Sequence, residues 1–215
     1  MNPLIVLVHI PKTGGTSLRV AAERYFGPEA MLYDYGTKAR LTSALVREWI
    51  YENRDTTGFA AAATARGFRF LCGHFPIEKY AGVMPDAHFV SWIRQPAARL
   101  WSAYRHHVKY NGFTGSFRDF YSAAGFRNQQ ARFLRTHLSR LEFIGITERF
   151  APSLRRFNRQ FDVKLKQHRA NRMPDDSPEN LMPQPSAEDL DAIAVLNSED
   201  IALYRTVESQ FLARS

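Results

Sequence analysis

A lysine, two glycines and three hydroxyl side chains stand together in Lys12-Thr13-Gly14-Gly15-Thr16-Ser17, three residues beyond the apolar run Leu4-Ile5-Val6-Leu7-Val8. Glycine lets a backbone turn tightly and approach a ligand closely. A helix opening at such a turn presents unpaired N–H groups at its positive end. Together these favour an anion, most often a phosphate. Lys12 adds a mobile positive charge, and Thr16 and Ser17 add hydroxyl donors. A plain strand-to-helix turn would account for the glycines but not for the lysine and hydroxyls beside them.

The order of residues narrows the anion. A nucleoside triphosphate loop places its lysine directly after the last glycine of G-x-x-x-x-G-K-[ST], whereas Lys12 precedes Gly14 and Gly15. The dinucleotide fingerprint G-x-G-x-x-G is absent. Two further places carry chemistry. Arg94-Gln95-Pro96 follows an apolar segment, with Ser102 further along the same predicted helix. Arginine is shaped to hold a phosphate through two parallel hydrogen bonds, but spacing alone favours a surface arginine and a helical serine with no common ligand. Gly73-His74 closes another apolar segment, FRFLCGHF. Such a histidine lies where α/β sheets keep their ligands, although a lone histidine is more often structural. His9, just before the turn, is placed to face the same region, while His106 and His107 read as surface or packing residues of a helix.

HIPKTGGTSL resembles the 5′-phosphosulfate loop of sulfotransferases that use 3′-phosphoadenylyl sulfate (PAPS), especially the carbohydrate branch containing heparan sulfate 2-O-sulfotransferase. The motif R-x-P-x-x-R-x-x-S-x-Y, from Arg94 to Tyr104, resembles the 3′-phosphate motif of the same family, with Gln95 where members often carry Asp. FIGITERF and NSEDIALY resemble two later segments less sharply. The resemblance implies transfer of a sulfuryl group from PAPS to an acceptor hydroxyl, expected on a carbohydrate, with PAP as product and no metal needed. It also implies roles. His74 is the general base, and Lys12 stabilises the leaving phosphate. Thr13, Gly14, Gly15, Thr16 and Ser17 surround the 5′-phosphate, and Arg94 and Ser102 bind the 3′-phosphate. A basic loop before the last helices closes over the nucleotide in relatives, which puts Lys164, Lys166 and Arg169 among the cofactor-binding residues, with His168 and Arg172 beside them.

Elements must position these groups. Leu4 to Val8 suits a strand buried on both faces, ended by Pro11. Leu18, Ala21, Ala22 and Tyr25 predict the apolar stripe of the helix that follows. Further strands are predicted at Met31–Tyr33, Phe68–Phe75, Ala87–Ile93 and Glu142–Ile146. Helices are expected at 42–51, 60–65, 97–109, 116–124, 128–138, 148–161, 187–195 and 198–211, and Val163 to Pro185 reads as a long loop. Strands separated by helices, the first feeding a phosphate-type turn, give an α/β expectation: a three-layer, P-loop-like fold with a central parallel sheet flanked by helices. Residues 1–215 are read as one domain.

Composition sets the bounds. The 215 residues are 45% hydrophobic, enough for one sizeable core. Cys72 is the single cysteine, which rules out an intramolecular disulfide and a Cys-based zinc site. No apolar run reaches the length of a membrane span and no signal peptide opens the chain, so a cytoplasmic enzyme is expected, or a soluble catalytic domain trimmed from an anchored one. The net charge of +8 suits a polyanionic partner, whether nucleic acid, an acidic glycan or a cofactor with several phosphates, and equally an ordinary solvated basic surface. No nucleic-acid-binding motif occurs, and the resemblance implies a nucleotide and a glycan or other hydroxyl-bearing acceptor, with no nucleic acid. Trp101, Tyr104, Tyr110 and Phe113 fit either sugar stacking or the core. Two rival functions remain at this stage: a P-loop nucleotide kinase, and a non-catalytic polyanion-binding module.

Overall fold

The all-apolar sequence Ile5-Val6-Leu7-Val8 forms β1 (Ile5–Val8), buried along its whole length. In the computed structural model, which describes residues 3–167, 182 and 184–213, β1 is the middle strand of a sheet. After β1 come α1 (Gly15–Phe26), β2 (Met31–Asp34), the short α2 (Ala44–Val46), α3 (Thr56–Ala65), β3 (Phe70–Gly73), α4 (Glu78–Ala81) and β4 (His88–Ile93). Then follow α5 (Pro96–Asn111), α6 (Phe117–Ser122), α7 (Gln129–Leu134), β5 (Leu141–Ile146), α8 (Phe150–Gln160), α9 (Ala187–Leu196) and α10 (Ser198–Ala213). Among the described residues the sheet has five strands in the order β2-β3-β1-β4-β5, and every pairing is parallel.

Alternation along β1 divides the core. Val6 and Val8 face one apolar cluster with Phe59 of α3, Tyr80 of α4 and Tyr204 and Val207 of α10. Ile5 and Leu7 face another, with Leu18, Ala21 and Ala22 of α1 and Leu154 and Phe157 of α8. Helices thus cover both faces, giving three layers, as expected where the central strand is apolar on both sides. A third cluster joins α5, α6 and α9 through Leu100, Trp101, Phe117, Phe120 and Ile193.

Several expectations are corrected. Tyr25 is 43% exposed and meets Phe26 rather than the core. The helix expected over 42–51 is three residues of α2 followed by a wider, π-type turn at Arg47–Glu52, and that turn carries the Tyr51 hydroxyl to the Asp34 carboxylate. The helix expected over 128–138 ends at Leu134, after which Arg135–Arg140 tightens into a 3₁₀ turn broken at His137. Its start is better fixed: the buried carboxylate of Asp200 on α10 accepts from Ala131 N at 2.8 Å, a cap supplied from another element.

Candidate active site

Register decides which side chains meet. Val8 pairs with Gly73 and with Ser91, and Asp34 pairs with Gly73. The strands therefore end level, and the next residues, His9, Tyr35 and His74, leave the same sheet edge side by side. Arg94 leaves β4 on the other flank of β1. Because the chain moves from β1 to one side and later crosses to β4, this carboxyl edge is the switch point where such sheets hold ligands.

The turn after β1 is tightly constrained. Lys12 has φ 69° and Gly14 φ 85°, two left-handed positions with only Thr13 between them. For lysine that conformation costs about 1–2 kcal/mol, and a strained, non-glycine turn marks a constrained site. The Thr13 hydroxyl donates to Ile10 O at 2.9 Å, folding its side chain inward. Thr147 Oγ1 lies 2.5 Å from Thr13 O and 2.9 Å from Ile93 O, fastening the turn to the ends of β4 and β5. Gly14 caps α1 without any side-chain hydrogen bond, so the helix opens with its first N–H groups directed outward. Gly15 has no room for a side chain, because a Cβ there would lie 2.1 Å from His9 Cδ2. Thr16 and Ser17 are half-buried in the first turn.

Positive charge converges on this turn. The Arg94 guanidinium donates to Lys12 O at 3.3 Å and lies 3.8 Å from Glu148. Burial, then Arg94 and Arg105, pull the Lys12 ammonium below its usual pKa. Burial likewise lowers Arg94, with Glu148 opposing and Arg105 adding to the effect. Burial lowers His106 too, with Lys12 contributing. Groups this crowded gain from an anion placed among them. A cavity of 420 Å³ opens beside them, lined by Arg94, Ala98, Trp101, Arg105 and Leu190, within the size range of small-ligand sites. The larger cavity, 770 Å³, sits at the opposite edge of the sheet among mostly apolar residues such as Ala61, Val83 and Met84, away from these groups.

On the other flank, His74 is exposed at one edge while its ring packs edge-on against His9 and Tyr35, with centroids 4.6 Å and 4.7 Å away. The His74 backbone N–H donates to Asp34 O at 3.0 Å. Burial of the ring lowers its pKa to about 4, so it is a neutral imidazole at pH 7, able to accept a proton. Asp34 is buried beneath, its carboxylate bonded to Lys79, Tyr51 and Tyr80. No group of three or more His, Cys, Asp or Glu that could hold a metal occurs among the described residues.

The predicted residues Lys12, Thr13, Gly14, Gly15, Thr16, Ser17 and Arg94 come together here. Ser102 is half-buried on α5, three residues before Arg105 and therefore on the same face. Lys164 and Lys166 are exposed on a segment after α8, where Leu165 is tied to Asn158; Gln160 beside it bonds Glu142 O at the start of β5, the edge of the sheet away from the turn. Arg169, like His168 and Arg172, lies outside the described residues. Trp101, Tyr104 and Phe113 belong to the third core cluster, whereas Tyr110 is exposed and stands beside His106. Sequence reasoning missed Arg105, Glu148, Thr147 and Tyr35. Arg105 had a signal in its three-residue spacing from Ser102, and Thr147 and Glu148 lie within the FIGITERF segment; Tyr35 had none.

Known proteins resemble this arrangement in fold. A sulfotransferase from Alicyclobacillus acidocaldarius superposes with a TM-score of 0.58 over 94% of each chain at 17% identity. A mouse sulfotransferase complexed with PAP superposes with a TM-score of 0.50 at 13% identity, over 78% of this chain and 61% of the mouse chain. No protein-family model matches the chain, and no curated protein matches it in sequence.

Proposed function

We propose that the chain is a single-domain, PAPS-dependent sulfotransferase acting on an acceptor hydroxyl, with a carbohydrate as the favoured acceptor. The observation that carries this reading is the strained lysine-led turn at the head of β1, with Arg94 and Arg105 crowded on one side of it and a neutral His74 on the other. Two separated phosphates need two basic subsites, and the turn and the α5 cavity would serve as them. The fold likeness to sulfotransferases, one of them complexed with PAP, supports the same reading.

PAPS would fit at the head of α1, where Gly14 caps the helix without a side-chain hydrogen bond and leaves its first N–H groups open to a 5′-phosphate, alongside the hydroxyls of Thr16 and Ser17. Arg94 and Ser102, with Arg105, would hold the 3′-phosphate. When bound, PAPS supplies the sulfuryl group: the acceptor oxygen forms a bond to sulfur as the bond from sulfur to the phosphate oxygen breaks, giving a sulfate ester and PAP. His74 takes the acceptor hydroxyl proton, a task suited to a neutral imidazole. Lys12 stabilises the negative charge that grows on the phosphate side. Glu148 and Thr147 keep Arg94 and the turn in place, so that little reorganisation accompanies the reaction.

The proposal is tested by thermal unfolding with PAP and with ATP plus magnesium, followed by labelled PAPS with a panel of glycans. Stabilisation by PAP and labelling of a glycan are expected. Stabilisation by ATP plus magnesium alone would favour the kinase reading. Salt-sensitive polymer binding without any PAP effect would favour a non-catalytic module.

A further inference from the structure

We infer that His9 is a positioning residue that carries the occupancy of the β1–α1 turn to the imidazole of His74, an inference that rests on the nucleotide site proposed above. His9 touches both partners at once. On one side its ring fills the space that a Gly15 Cβ would take, 2.1 Å from Cδ2 and 2.4 Å from Nε2. On the other it meets the His74 ring edge-on at 4.6 Å. Nδ1 lies 3.0 Å from the Tyr35 hydroxyl, and that hydroxyl lies 3.1 Å from Cys72 Sγ. Tyr35 itself packs against His74 at 4.7 Å. His9 is only 5% exposed, so its ring has no free volume in which to absorb a shift.

The backbone reinforces the coupling. His9 N donates to Gly73 O, and His74 N donates to Asp34 O, both at 3.0 Å. Strand ends are therefore fixed, and the side chains are the parts that can move. An anion drawn onto the first N–H groups of α1 sets the separation of Gly15 from the His9 ring, and close-packed contacts pass such displacements onward. His9 does not compete for the anion as a charge. Burial, then His74, Arg19 and Lys12, keep it neutral, and Tyr35 and Cys72 are likewise held in their protonated forms. Its contribution is the location of a ring.

The test uses the full chain with ¹⁵N-labelled histidine and PAP as the probe, following the His74 ring resonances. In the wild type, saturation with PAP moves those resonances. In His9→Asn, which keeps a polar group near Tyr35 but removes the ring, PAP binds with a Kd within about threefold of wild type, roughly 0.7 kcal/mol, and the His74 response is lost. A role in stability alone would lower the unfolding temperature without erasing the response. An unchanged response in His9→Asn, or a wild type that binds PAP without any His74 response, overturns the inference and leaves the nucleotide site standing. A wild type that does not bind PAP overturns both. Should His9→Asn fail to fold, Tyr35→Phe removes only the hydroxyl that tethers His9, and survival of the full response in that variant overturns the inference.

Discussion

Replacing Gly15 with alanine perturbs the site at its tightest contact. The new methyl would lie 2.1 Å from His9 Cδ2 and 2.4 Å from Nε2, against an ordinary carbon contact of about 3.5–4 Å. The ring must retreat by more than about 1 Å, yet Tyr35 holds it at Nδ1 and His74 stands behind it. Overpacking of this kind costs about 1–3 kcal/mol, and loss of the Tyr35 hydrogen bond adds about 1 kcal/mol. Alanine returns at most about 1 kcal/mol through helix propensity. The net destabilisation is about 1–3 kcal/mol, equivalent at roughly 2–4 °C per kcal/mol to a Tm lowered by about 2–12 °C. Calorimetric or circular-dichroism melting measures it. The double variant His9→Ala/Gly15→Ala isolates the cause, because without the ring the methyl has space. Its loss of stability should fall short of the sum of the single losses by about 1 kcal/mol or more. Strict additivity, or a Gly15→Ala protein that melts with the wild type, would refute the packing argument.

Three other outcomes follow from the same geometry. Lys12→Gly removes a side chain from a left-handed position and should melt no lower than wild type, while sulfuryl transfer measured with labelled PAPS falls by about 100-fold or more; a normal rate would separate Lys12 from the chemistry. Burial disfavours the Asp34 carboxylate, but hydrogen bonds from Lys79, Tyr51 and Tyr80 outweigh it and hold its pKa below the ordinary value, so its stabilisation is complete above about pH 3.9 and is lost as pH falls through the folded pKa. Asp34→Asn should therefore destabilise by about 3–5 kcal/mol at neutral pH, with the gap to wild type narrowing on acid titration, and a gap independent of pH would contradict the ionised pair. For His74, burial lowers the pKa while solvent at its open edge works against part of the shift. The acidic limb of the rate profile should thus fall between about pH 4 and the ordinary imidazole value near 6.5, and a limb above that value would exclude His74 as the base.

The strands were legible because β-branched apolar runs announce burial on both faces, and the tight turn after β1 because Pro11 ends the strand and paired glycines admit a sharp bend. Elements set by long-range contacts were less so. The break after Leu134 accompanies the bond from Ile77 N to Phe133 O, and the wide turn at Arg47–Glu52 accompanies the attachment of Tyr51 to Asp34. Neither leaves a local signature. Within the site, Tyr35 and Glu148 gain their meaning from register and from the meeting of β4 with the start of α8, which only the folded chain reveals. Arg99 reads locally as part of a ligand motif, but its guanidinium is buried on Gln129 Oε1 and Phe126 O, where it braces α5 against the segment before α7.

The central claim is that the turn from Lys12 to Ser17 receives the 5′-phosphate of a 3′-phosphorylated adenine nucleotide. A crystal structure with PAP tests it most directly. The account predicts the 5′-phosphate on the N–H groups at the head of α1 with Lys12 Nζ beside it, and the 3′-phosphate against Arg94. A turn left vacant at saturating PAP, or a nucleotide bound with Lys12 pointing to bulk solvent, would contradict it.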